Sequence, residues 1–211
     1  MLSVSDLYAK LLFTYGHQNW WPSNSPFETM VGAILTQNTN WNNVVKAIDN
    51  LGSQCNPKSI LDLSNDDLAR LIRPSGYHNQ KAQKLKNLSG WFKRYEYSIE
   101  KVKEKELKEL RNELLKVHGV GPETADDILV YAIEKPSFII DTYTRRVFSR
   151  LGFRVPIKYD DFQKLIQEQI PIDVNLYNEF HALIVIHSKE YCRKKPDCTE
   201  CPLVSECQRL F

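Results

Sequence analysis

Residues 117–141 read V-H-G-V-G-P-E-T-A-D-D-I-L-V-Y-A-I-E-K-P-S-F-I-I-D, and this stretch decides the fold. Gly119 and Gly121 bracket Val120, and Pro122 stands where a first helical residue is favoured, because the N–H it lacks would have had no intrahelical partner. Glycine admits positive φ and lets a phosphate approach the backbone without meeting a Cβ. Upstream, Leu107, Leu110, Leu114 and Leu115 fall at helical spacing, so the pattern predicts a glycine-punctuated hairpin between two helices. The second helix presents unpaired N–H groups and the positive end of its dipole to whatever sits at the turn, a contact that positions a nucleic acid without reading its sequence. G-V-G-P alone is equally well a helix–helix turn that binds nothing. The lone Asp141 ending an apolar strip, with Arg145-Arg146 just beyond it, favours the binding reading.

Outward from this hairpin the chain reads helical nearly throughout. Ser5-Asp6 is a candidate cap for a first helix carrying Leu7, Leu11 and Leu12, and Pro22 and Pro26 break the chain before an apolar helix from Phe27 to Leu35. Further helices are predicted from Val44 to Leu51, from the Ser64-Asn65-Asp66-Asp67 cap through Ile72, and from Lys81 to Tyr95. After Asp141 come one to Leu151, one from Asp160, and one from Leu176 to Lys189. Phe138-Ile139-Ile140 is too short an alternation to build a sheet. An all-α protein follows. Its 211 residues hold one sizeable core or two small ones. The net charge of +2 leaves no polybasic tail, so an anionic partner must be met by a local cluster. No apolar run approaches the roughly 18 residues of a membrane span, and the N-terminus lacks a secretory pattern. The expected location is the cytoplasm, nucleoid-associated in a prokaryote, where clustered cysteines bind metal more often than they pair as disulfides.

Such a cluster is present. Cys192, Cys198, Cys201 and Cys207 form C-x5-C-x2-C-x5-C, while Cys55 stands apart as an ordinary thiol. Four thiolates suit a tetrahedral zinc or a [4Fe–4S] cluster, and spacing alone leaves the two about equal. Arg193 and Lys194 lie inside the first loop, where a bound metal would present them rigidly to phosphate.

The hairpin with Asp141 resembles the helix-hairpin-helix–Gly/Pro–Asp superfamily of base-excision DNA glycosylases, of which endonuclease III is a familiar member. The resemblance runs over essentially the whole chain, with the Gly/Pro stretch weakly kept as Lys135-Pro136-Ser137. It implies two helical lobes (here 24–135, carrying the hairpin, and 1–23 plus 136–211, carrying Asp141 and the cysteine loop). Double-stranded DNA with a damaged base would be the partner, and the damaged nucleotide would be flipped between the lobes. The cysteine spacing is similar to the C-x6-C-x2-C-x5-C loop of endonuclease III relatives, one residue shorter in its first interval, which implies a structural [4Fe–4S] cluster ahead of zinc. Asp141 on its own is a helix cap for Thr142 onward. The resemblance makes it the catalytic carboxylate, stabilising oxocarbenium-like charge at C1′ and orienting a water.

Two departures narrow the activity. Lyase-competent relatives carry a lysine in G-V-G-x-K-T-A that forms a Schiff base, whereas this chain has Glu123 in G-V-G-P-E-T-A. Glutamate forms no imine, which implies a monofunctional glycosylase; a monomer is expected. In addition, W-W-P at 20–22, A-I-L-T-Q-N-T-N-W at 33–41 and R-P-S-G-Y-H-N-Q-K-A at 73–82 resemble the type III 3-methyladenine DNA glycosylases. That resemblance implies a base pocket of Trp20, Trp21 and Trp41, with Glu123 adding attraction for a cationic base. Each tryptophan separately reads as packing. An alkylated purine is cationic, so aromatic faces attract it by about 0.5–2 kcal/mol. Gln37 and Tyr77 match positions that fill and wedge the duplex. Lys81 is a candidate phosphate contact beside them, along with the hairpin backbone at Gly119, Val120 and Gly121. The type III enzymes lack a cysteine loop, so the substrate expectation is weaker than the fold expectation. An endonuclease III-like activity on oxidised pyrimidines or uracil, and a non-catalytic DNA-binding protein, are the competing readings.

Overall fold

Short polar side chains start most of the helices. The computed structural model describes residues 2–209, and among these the regular elements are helical and no strand occurs. Helix α1 (Val4–Tyr15) begins at Ser3, not at the expected Ser5. Ser3 Oγ accepts from Asp6 N at 3.0 Å and the Asp6 carboxylate accepts from Ser3 N at 3.2 Å, a reciprocal capping box that a cap at Ser5 lacks. Ser25 caps α2 (Pro26–Leu35), Asn40 caps α3 (Trp41–Leu51), Asn56 caps α4 (Pro57–Asp62) and Ser64 caps α5 (Asn65–Leu71). Asn40 therefore starts α3 three residues before the expected Val44. Next come α6 (His78–Lys93), α7 (Ile99–Lys103), α8 (Leu107–Leu115) and α9 (Pro122–Asp127), which runs on into one π-helical stretch, Ile128–Ala132. The chain ends with α10 (Thr142–Arg150), α11 (Tyr159–Gln167) and α12 (Val174–Glu190).

The chain divides into two units, Trp21–Lys135 and Met1–Trp20 with Pro136–Phe211. Each buries its own apolar cluster. In the first, α2 is buried along nearly its whole length, with Met30, Val31, Ile34 and Leu35 packed among Leu85, Leu88, Leu110, Leu114 and Ile128. In the second, Val4, Leu7 and Leu11 of α1 join Phe138, Phe148, Phe162, Phe180 and Ile184. There α12 packs on both α1 and α10, which places the start of α10 against a long, rigid helix.

Two buried polar contacts pin the hairpin-bearing unit. Asp126, fully buried on α9, accepts from Arg111 Nε at 2.8 Å and Nη2 at 3.1 Å, a two-pronged bond between the hairpin's two helices. Lys81 is 1% exposed, and its ammonium donates to Leu35 O at 2.9 Å and Ser75 O at 2.7 Å. It thus satisfies a carbonyl at the C-terminus of α2, where helix geometry leaves carbonyls without partners. Replacing Asp126 with Ala removes the carboxylate that accepts both bonds from the largely buried Arg111 guanidinium. Urea denaturation of Asp126→Ala is expected to show a loss of about 3 kcal/mol, with Arg111→Met no less costly because it takes the guanidinium away from a fully buried carboxylate.

Candidate DNA-binding and base-excision site

The hairpin turn is set by one glycine. Gly119 has φ +99°, and a Cβ there would collide with the aliphatic stem of Lys84 from α6. Gly121 has ordinary extended backbone and open space beside it, so only Gly119 is required by conformation. Val120 turns its side chain into the core, and no side chain caps α9. Gln37, Asn38, Lys84, Gly119–Gly121, Glu123 and Thr124 line one open polar concavity, with Glu123 exposed on the first turn of α9.

Within that concavity the Gln37 amide donates to Gly119 O at 3.1 Å and Thr124 Oγ1 at 2.9 Å, and accepts from Lys84 Nζ at 2.6 Å. Gln37 braces the hairpin in this state. Tyr77 is 64% exposed in the left-handed region (φ 44°, ψ 33°) immediately before α6, a conformation costly for a non-glycine residue. Lys81 requires a correction: its amine is interior, on two carbonyls, and burial lowers its pKa to about 8, with Lys84 adding repulsion. A side chain so placed does not meet a phosphate.

The aromatic residues separate. Trp21 stands edge-on to Trp41 with centroids 4.8 Å apart, and tilts against Tyr131 at 5.0 Å. All three are half-buried, and the Trp21 indole lies over Gly32, where an added Cβ would sit 3.1 Å from it. Tyr131, which the sequence reading missed, is carried on the π-helical stretch, a local rewinding often associated with functional sites. Trp20 belongs to the other unit, where Lys189 Nζ lies 5.5 Å from its ring centroid.

In that unit Asp141 caps α10, its Oδ1 accepting from Thr144 N at 2.7 Å. Its Oδ2 faces His181 Nε2 of α12 at 3.6 Å, and both side chains are buried. Burial opposes the charged carboxylate, but His181 and the Thr144 contacts outweigh it, and the pKa falls below the ordinary 3.8. Lys189 has its pKa lowered by burial, partly countered by the charge of Asp141. A dry carboxylate that stays ionised is suited to stabilising positive charge on a bound molecule. His181 lies forty residues after Asp141 in the middle of an apolar helix, with no sequence signal to mark it.

The four loop cysteines line one cavity with Val147, Leu151, Leu203, Arg150 and His187. Arg150 Nη1 stands 3.4 Å from Cys192 Sγ and donates to Arg193 O at 2.7 Å, Nη2 reaches Lys194 O at 3.2 Å, and Arg146 Nε reaches Cys192 O at 2.7 Å. Arg193 and Lys194 keep exposed side chains on this tethered loop. Among the described residues no group of three or more His, Cys, Asp or Glu side chains is arranged to hold a metal ion, and none of the five cysteines is in a disulfide. Cys55 lies in the other unit, its thiol pKa pushed up to about 12 by burial and Glu28.

These features belong together in one class of protein. The chain belongs to the HhH-GPD superfamily of base excision DNA repair proteins, whose pattern matches residues 31–172, and it is a DNA glycosylase of that group. A Methanocaldococcus jannaschii protein bearing the name of a DNA repair glycosylase is 47% identical over 97% of this chain and 95% of its own. Endonuclease III of Sulfolobus acidocaldarius is 29% identical over 86% of this chain and 81% of its own. The crystal structure of the H. pylori 3-methyladenine DNA glycosylase bound to 1,N6-ethenoadenine superposes with a TM-score of 0.77 at 32% identity, covering 90% of this chain and 98% of that one. No helix among the described residues is long and apolar enough to cross a membrane.

The turn makes its own prediction. Gly119→Ala forces a side chain into left-handed backbone, at about 1–2 kcal/mol, and displaces Lys84. Affinity for duplex DNA, read by fluorescence anisotropy, is expected to fall about tenfold.

Proposed function

We propose that this glycosylase hydrolyses the N-glycosidic bond of alkylated purines and leaves the resulting abasic site uncut. The buried carboxylate of Asp141, held at Thr144 N and facing His181, is the observation that carries the reading. As the base departs, the sugar acquires oxocarbenium character, and a fixed negative charge at C1′ lowers the barrier to that state. The same carboxylate accepts a proton from, or aligns, the attacking water. A 3- or 7-alkylated purine is already cationic and leaves readily, so recognition rests on aromatic side chains, and Trp21, Trp41 and Tyr131 supply such faces. The resemblance to the H. pylori enzyme supports this substrate class. The lyase half is missing because Glu123 occupies the position at which lyase-competent relatives carry lysine, and its carboxylate forms no Schiff base.

The DNA backbone would be held by the Gly119–Gly121 turn and by Arg193 and Lys194, a sequence-independent grip. Tyr77 would wedge the duplex. Gln37 would fill the vacated position after exchanging its hairpin bonds for the orphan base. Cys192, Cys198, Cys201 and Cys207 would hold a [4Fe–4S] cluster. Their shared cavity, the all-thiol donor set, the guanidinium beside Cys192 and the similarity to endonuclease III support this. When bound, that group would supply a rigid anchor for the basic loop, and no catalytic step is assigned to it. The cysteine loop also favours a second reading, an endonuclease III-like range of oxidised pyrimidines or uracil.

Duplexes carrying a single 7-methylguanine, 1,N6-ethenoadenine, thymine glycol or uracil separate the readings when strand breaks are scored with and without alkali. Breaks confined to the alkylated purines and appearing only after alkali are expected, with Asp141→Asn slower by roughly 10²-fold or more. Alkali-independent nicking at thymine glycol, or an Asp141→Asn protein at wild-type rate, would overturn the proposal.

A further inference from the structure

We infer that His181 is a positioning residue for Asp141, an inference that rests on the reading of Asp141 as the glycosylase carboxylate. The two oxygens of Asp141 are in different situations. Oδ1 is engaged by Thr144 N at 2.7 Å, the capping bond that any N-cap aspartate makes. The Thr144 side chain bonds the carboxylate as well, and helix capping by itself asks nothing of a ring from another helix. Yet Oδ2 faces His181 Nε2 at 3.6 Å, with Asp141 8% and His181 6% exposed.

A titratable ring on an apolar helix, aimed at the spare oxygen of a buried carboxylate, exceeds what helix capping requires. His181 comes from α12, where Phe180, Leu183 and Ile184 are buried in the core around it. An imidazole N–H directed at Oδ2 fixes the plane of the carboxylate and so fixes where its remaining lone pairs point. The 3.6 Å separation is slightly longer than a hydrogen bond, and such contacts in unliganded enzymes commonly tighten when the substrate is bound. Displacing a charged group by about an ångström at a reacting centre costs about 10²-fold in rate. His181 therefore belongs to the excision apparatus even though it touches neither sugar nor base.

Two variants that keep the volume separate positioning from packing. His181→Gln retains an N–H donor near the Nε2 position, and His181→Leu fills the space without one. Single-turnover base release from an alkylated-purine duplex is expected to fall 10- to 100-fold in His181→Leu and less than fivefold in His181→Gln. Affinity for a duplex with a neutral tetrahydrofuran abasic site should stay within threefold of wild type in both. A duplex carrying a cationic pyrrolidine in place of that sugar reports on the carboxylate directly, and its preference over tetrahydrofuran should drop at least tenfold in His181→Leu and persist in His181→Gln. Equal loss of rate, tetrahydrofuran binding and thermal stability in both variants would reduce His181 to packing, and wild-type behaviour of His181→Leu would remove it from the site. If Asp141→Asn keeps the pyrrolidine preference, the reading of Asp141 itself fails. If Asp141→Asn loses that preference while His181→Leu keeps it, only the present inference fails.

Discussion

On the proposed reading the chemistry depends on the carboxylate of Asp141, which is held against its own solvation preference. Burial penalises a charge heavily unless specific donors replace the lost water. Here the donors are the Thr144 amide in the first turn of α10 and the ring of His181, and together they keep the acid more ionised than in water. The core of this unit makes that possible. Helix α12 packs on α10 and α1, so the acceptor and the ring that faces it are presented by helices that cannot drift apart without opening the Phe138–Phe180 core.

The hairpin-bearing unit follows a different logic, in which backbone rather than charge is presented. Gly119 turns the chain, Val120 anchors it inward, and the Arg111–Asp126 bond clamps the two flanking helices. Lys84 and Gln37 then brace the turn from outside. A rigid turn with few side chains in the way is what a sequence-independent grip on phosphates needs. On the proposed reading, such a turn lets a chain of net charge +2 hold DNA through its backbone.

Much of this was legible in the sequence because it is local. The G-V-G-P turn, the cap at Ser64 and the position of Asp141 at a helix start all follow from residues within one turn of each other. What was missed is nonlocal. The destiny of Lys81 depends on the carbonyl end of α2, whose arrival only the tertiary fold determines, so a lysine near a basic helix start was assigned to the surface and found in the interior. Tyr131 was overlooked because the π-helical stretch changes which face each residue occupies, and a uniform helical period does not reveal it. His181 was overlooked for a similar reason: a single histidine among Phe180, Ala182 and Leu183 reads as core until its partner is seen.

The measurement that tests the central claim most directly is the titration of the Asp141 carboxyl, followed by ¹³C NMR in selectively labelled protein with Asp141→Asn providing the assignment. A group held ionised by Thr144 and His181 should titrate below the ordinary aspartate value of 3.8, and its contribution to stability should be complete above that pH and disappear as the pH falls through the folded-state value. A carboxyl that titrates above 3.8, and so is more readily protonated in the fold than in water, would contradict the account.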